Sequence, residues 1–144
     1  MTRAPSPLSS AEPGTALHAR TFTIRRADLV RYAGASGDFN PIHWSDRVAT
    51  AVGLPGVIAH GMYTMALASR AVGEWAGGFD RIIEYGVRFT RPVVVPDDDT
   101  GVDIEVSGTV EGVRDDGALT VGLTCTCRGE KVLGMARAVV RREA

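Results

Sequence analysis

The sequence is short of cysteine, of aromatic residues and of net charge, and no apolar run in it reaches the roughly 20 residues needed to span a bilayer. Each shortage removes a class of function. The two cysteines, Cys125 and Cys127, stand in LTCTCRG, so on a strand they share one face. A disulfide between them would close a very small ring with poor geometry, and no further Cys or His follows at metal-ligand spacing. They read as two small apolar residues, a usage that fits an intracellular, cytoplasmic protein. The 16 Lys and Arg against 17 Asp and Glu leave a formal charge of −1. Nucleic-acid binding, which needs a clustered excess of cations, is not expected. Met1 to Gly14 carries Pro, Ser and Ala but no apolar h-region, so neither a signal peptide nor a membrane anchor is expected.

What is present suffices for one core. Hydrophobic residues make up 44% of 144 positions, and at roughly 150 residues per domain the chain corresponds to one domain. Residues 1–17, with Pro5, Pro7, Pro13 and Gly14, read as a disordered leader, and 18–144 as the domain. His18 to Ile24 alternates as a short strand. Asp28 to Ala35 reads as a short helix with Leu29, Tyr32 and Ala33 on one face. Ser45 can cap a second, Asp46 to Val52, ended by Gly53 and Pro55. The longest helical signal starts after His60 and runs to about Ala76, with Met62, Met65, Ala66, Ser69, Val72, Gly73 and Ala76 at i, i+3, i+4 spacing. Its small residues (Ala66, Ala68, Ala71 and Gly73) allow another element to approach closely. The remainder alternates with period two over Ile82 to Thr90, Val102 to Val113, Leu119 to Thr126 and Lys131 to Val140. Tight turns at Arg114 to Gly117 and Arg128 to Gly129 join the last three strands in an antiparallel meander. The expected class is α+β, one central helix on an antiparallel sheet.

Two stretches can carry chemistry. YAGASGDFNPIHWSDRVA, Tyr32 to Ala49, holds an acid, an amide and an imidazole within six positions: Asp38, Asn40 and His43. A Pro41 kink can fold Asp38 toward His43. A carboxylate beside the imidazole would hold it and favour its protonated form, and such a pair can move protons to and from water. The same residues also suit an Asn-Pro turn in which Asp38 caps a helix. The second stretch is IAHGM, Ile58 to Met62, where Gly61 opens the long helix. The first N–H groups of a helix have no internal acceptor, so a carbonyl oxygen placed there is stabilised as it becomes negative. Gly61 can equally serve only to ease a loop into the helix. His60 can be a ligand, a helix-start residue or a core residue.

SGDFNPIH followed by Ala49 resembles the signature of the MaoC-like, or hydratase 2, family, whose pattern Tyr32, Ser36, Gly37, Asp38, Asn40, Pro41, Ile42, His43 and Ala49 fit. AHGMYTMAL resembles the start of that family's central helix, and VRFTRPVVVPDD the strand and loop that follow. The likeness extends from about Thr21 to Val140 and reaches the dehydratases of fatty-acid synthesis. It implies a hot-dog fold, a long antiparallel sheet wrapped around the central helix. It also implies reversible addition of water to trans-2-enoyl thioesters of coenzyme A or acyl carrier protein, giving the (R)-3-hydroxyacyl product. By position, Asp38 and His43 are then the catalytic pair, Asn40 and Ser36 support them, and the Gly61 N–H is the oxyanion hole. His60 and Met62, on either side of Gly61, are candidates for substrate contact. The thioester is its own electron sink, so no metal or organic cofactor is implied. A homodimer, or a heterodimer with a related hot-dog subunit, is expected to complete the acyl tunnel. Arg88 and Arg91 can meet coenzyme A phosphates or an acidic carrier protein, or be solvated strand-end charges. One departure stands out: relatives have Pro-Gly-Asp where this chain has Pro96-Asp97-Asp98-Asp99.

Three alternatives remain open on the sequence. A thioesterase would need a carboxylate on the central helix, which offers only Glu74 late in its run. A subunit of a hetero-oligomeric dehydratase would gain activity only with its partner. A metal enzyme would use Asp38, His43 and His60.

Overall fold

The structure is a computed structural model that describes residues 5–142. In chain order it contains β1 (Ala16–Ile24), α1 (Arg26–Ser36), a 3-10 turn (Pro41–His43), α2 (Asp46–Ala51), α3 (Gly61–Ala76), a second 3-10 turn (Phe79–Arg81), β2 (Ile82–Phe89), β3 (Val102–Val113), β4 (Leu119–Cys127) and β5 (Glu130–Val140). The strands form one sheet in the order β1-β3-β4-β5-β2, every neighbouring pair antiparallel. This is the expected α+β arrangement, a sheet curved around α3, and it is the hot-dog fold.

The meander follows from its turns and its alternation. At the β4–β5 turn Arg128 and Gly129 both have positive φ, 52° and 78°, the conformation whose twist matches a two-residue hairpin. Along β4 every second side chain is buried, from Leu119 through Val121 and Leu123 to Cys125 and Cys127. The two cysteines are free and inward-facing, and burial pushes the Cys125 thiol up to about 12. β3 closes on Trp75 of α3, which is fully buried and donates its indole N–H to the His18 carbonyl. At Gly108 the sheet comes so close to Trp75 that a Cβ there would lie 2.8 Å from the indole ring.

Two expectations are corrected. The segment read as a disordered leader packs against the body: Leu8 is 1% exposed and Ala11 is buried. Gly14 N–H donates to the Val110 carbonyl, Val110 N–H to the Thr15 carbonyl, and an Arg142 N–H to the Ala11 carbonyl. Two apolar side chains in a Pro- and Ser-rich stretch are enough to tie it down, at roughly 1.5–3 kcal/mol for one fully buried Leu. Residues 1–4 of that leader lie outside the described residues. The buried face of α3 is the expected one only in its second half, where Val72, Gly73 and Ala76 are buried. Thr64, Leu67, Ala68, Ala71, Val72 and Trp75 point into the core, whereas Met62 is 57% exposed and Ala66 is exposed as well. The exposed stripe is Met62, Ala66, Arg70 and Glu74, whose first two members are apolar, so periodicity does not single out the packed face in the first half of the helix. The close approach at Gly73 is present: the Phe79 ring covers it, 2.6 Å from where a Cβ would stand.

In the loop after β2, the missing glycine has a substitute. Gly101 takes the left-handed conformation, φ 74°, and Asp98 Oδ1 accepts from the N–H groups of Thr100 and Gly101, closing the turn.

Candidate active site

The loop after α1 is built from a chain of short side-chain-to-backbone bonds. Gly37 ends α1 in the left-handed region. Ser36 Oγ then accepts from Asp38 N–H at 3.2 Å, Asp38 Oδ1 from Asn40 N–H at 3.1 Å and Asn40 Oδ1 from Ile42 N–H at 3.2 Å. Pro41 opens the 3-10 turn that carries His43 inward. The Asn-Pro turn is present, with Asn40 rather than Asp38 capping the 3-10 turn, and these Asx turns are what set the Asp38 carboxylate facing His43.

A single strap of chain holds the His43 ring. Its Nδ1 lies 2.7 Å from the Ile58 carbonyl oxygen. A carbonyl only accepts, so Nδ1 carries the proton and, in the neutral ring, Nε2 is the base. Nε2 faces Asp38 Oδ2 at 3.8 Å, too long for a direct hydrogen bond. One water oxygen can bond to both atoms across that gap. The anchor of the imidazole is thus a backbone carbonyl, not the carboxylate that the sequence suggested, and Ile58 was not among the candidate residues. A backbone oxygen is common to every residue type, so no side chain signals it.

The strap is itself pinned at several points. Ile58 N–H donates to the Ile42 carbonyl, Ala59 N–H to Val93 and Val95 N–H to Val57. Asp46, on the first turn of α2, accepts from Val57 N–H at 2.9 Å and from Arg26 through both carboxylate oxygens. Ser45 caps that helix as expected. The Val57 N–H bond first, and then Arg26, hold the Asp46 carboxyl below its ordinary value of 3.8. A depressed carboxyl adds stability above its unfolded pKa and loses it as pH falls through the folded one. Asp46→Asn should therefore lower Tm at pH 7, with the gap to wild type closing as pH falls below about 4. A gap that stays constant from pH 7 to pH 3 would contradict this role.

His60 is 2% exposed and lies behind His43. The two rings stack with centroids 3.8 Å apart and planes 23° from parallel. Its Nε2 lies 3.1 Å from the Asp38 carbonyl oxygen, and Tyr32 meets its ring edge-on at 4.7 Å. Burial, opposed in part by the Asp38 carbonyl and reinforced by His43, lowers its pKa.

Gly61 is the first residue of α3, so its N–H has no acceptor within the helix. His43, Gly61, Thr64, Phe89, Arg91 and Leu133 are among the walls of one cavity of about 350 Å³. Phe89, 55% exposed on the edge strand, lays its ring over Gly61. Ser36, Asp38, Asn40, His60 and Met62 are not in the cavity wall, and Asp38 adjoins it through His43. Arg91 is in it and pairs with Glu130 at 3.3 Å, whereas Arg88 is exposed on β2 outside it. Glu74, the acid a thioesterase would need, is ion-paired with Arg20 and sits roughly 20 Å from Gly61 along the helix. Ligand atoms of Asp38, His43 and His60 lie within 4.8 Å of one another, so among the described residues these three could hold a cation.

Residues 9–126 match the family model described as MaoC like domain. The chain belongs to the MaoC-like family. Among its relatives, the 3-hydroxyacyl-thioester dehydratase X of Mycobacterium tuberculosis is 37% identical over 92 residues, covering 64% of this chain and 32% of that protein. The MaoC-like chain thus spans about a third of that longer relative. The 3-hydroxybutyryl-CoA dehydratase of Methylorubrum extorquens is 32% identical over 120 residues, covering 82% of this chain and 73% of that one. The solved (R)-hydratase PhaJ1 of Pseudomonas aeruginosa superposes with a TM-score of 0.79 at 28% identity, over 96% of this chain and 88% of its own. In this MaoC-like chain no helix among the described residues is long and apolar enough to cross a membrane.

Proposed function

We propose that the protein interconverts trans-2-enoyl and (3R)-3-hydroxyacyl thioesters of coenzyme A or acyl carrier protein. The observation that carries this reading is that one cavity is walled by both the His43 imidazole and Gly61, the first residue of α3. The relatives add the substrate class, being dehydratases of 3-hydroxyacyl thioesters and of 3-hydroxybutyryl-CoA, and an (R)-hydratase.

The steps follow from the two halves of the site. Water held between Asp38 Oδ2 and His43 Nε2 gives a proton to the pair as its oxygen attacks C3 of the enoyl group. Electrons move through C2 to the thioester oxygen, which becomes an enolate facing the Gly61 N–H. That donor and the positive end of α3 stabilise the negative oxygen. The pair then returns the proton to C2, so the hydroxyl ends on C3 and the proton on C2. Ser36 and Asn40 keep the Asp38 loop in shape. The thioester accepts the electrons, so these steps call on neither a metal nor an organic cofactor.

A dimer, with itself or with a related subunit, belongs to the proposal. β2 is an edge strand with no fully buried residue; its Ile83 and Phe89 are exposed, and Phe89 walls the cavity. Edge pairing there would cover an unpaired ladder and set a second subunit beside the acyl group.

The test is hydration of crotonyl-CoA and longer enoyl-CoAs, followed by loss of the conjugated absorbance, with a thiol reagent in parallel. The expected result is loss of absorbance without free thiol. Thiol release with the double bond intact would overturn the proposal in favour of a thioesterase.

A further inference from the structure

His60 stays out of the cavity wall, yet it touches both members of the pair. Its Nε2 bonds the Asp38 carbonyl at 3.1 Å, which requires Nε2 to carry the proton. Its Nδ1 is then a buried lone pair, and among the described residues it has no partner. A buried polar atom without a partner costs about 1–3 kcal/mol, and an apolar ring in this place would avoid that cost. Packing alone therefore does not account for an imidazole here.

What the imidazole supplies is found on its other two sides. One edge ties down the main chain of Asp38, two residues after the end of α1. One face backs the His43 ring at 3.8 Å, so that with Nδ1 on Ile58 the ring has a single orientation, Nε2 toward Asp38. Tyr32, at 4.7 Å from His60 and 5.1 Å from Tyr63, closes the remaining side. Burial lowers the His60 pKa, which disfavours a positive charge stacked against the His43 ring.

We propose that His60 is a positioning residue, an imidazole that sets the Asp38 main chain and the His43 ring plane at once. The inference rests on the reading of Asp38 and His43 as the acid–base pair. Two variants divide its contributions. His60→Phe keeps a flat ring against His43 but has no N–H for Asp38, and His60→Gln keeps an N–H but no ring.

The experiment measures kcat and KM for enoyl-CoA hydration, with thermal unfolding of each variant alongside. Misplacement of about 1 Å at a reacting group can cost on the order of 10²-fold, so kcat is expected to fall at least roughly 10-fold in both variants, with KM within about twofold of wild type. Wild-type kcat in folded His60→Phe would overturn the proposal. So would a rise in KM at unchanged kcat, which would make His60 a substrate contact. If Asp38→Asn and His43→Ala themselves kept full activity, the acid–base reading would fall and this inference with it.

Discussion

His43→Ala is expected to lower the rate of enoyl-thioester hydration by roughly 10²–10⁴-fold, the range for loss of a general acid–base group. Nε2 is the only ring atom free to take a proton, because Nδ1 is committed to the Ile58 carbonyl. The change also leaves that carbonyl without its donor, a cost of about 1–3 kcal/mol, so unfolding must be measured beside activity. Asp38→Asn is the cleaner partner experiment. The amide keeps an oxygen for the Asn40 N–H, so the turn survives, while the negative charge facing His43 is lost. A fall of the same order is expected, with Tm close to wild type. The double variant should lose little more than either single one, since residues acting as a unit are not additive. Hydration at the wild-type rate in folded His43→Ala and Asp38→Asn would remove the pair from the mechanism.

How much of this was legible in the sequence depended on which kind of atom does the work. The start of α3 was marked by Gly61, and its end near Ala76 is closed by Gly77 in the left-handed conformation. Strands β3 and β4 were marked by alternation and, with β5, by glycine turns, and Ser45 marked the start of α2. The Asp38, Asn40 and His43 cluster stood out because three polar side chains within six positions are informative by type. What did not show is carried by backbone or by tertiary choice. Ile58 acts through its carbonyl, which any residue could offer. Leu8 and Ala11 are buried by contacts that local composition averages away. The packed face of α3 is chosen by the sheet, because the helix is apolar on several sides. His60 was visible as a candidate, but its position behind His43 depends on two loops meeting.

Gly61→Pro isolates the other half of the proposed chemistry, and it is expected to lower kcat by about 10²–10³-fold, the loss measured for one oxyanion donor. Proline is well tolerated at the first position of a helix, where its missing N–H has no intrahelical acceptor to lose. It also restricts the residue before it to extended conformations, and His60 already has φ −58° and ψ 130°. The helix should therefore form unchanged. The remaining difficulty is steric, since any Cβ at position 61 would lie 3.0–3.2 Å from carbons of the Phe89 ring. Gly61→Ala carries the same Cβ and keeps the N–H, so it measures that crowding alone. Phe89 is more than half exposed and can turn outward, so Gly61→Ala should retain most of the activity that Gly61→Pro loses. Equal activity in the two variants would mean that the N–H stabilises no charge in the transition state, and the oxyanion would have to be placed elsewhere in the cavity. A large deficit confined to Gly61→Pro, in kcat more than in KM, identifies an interaction made chiefly in the transition state.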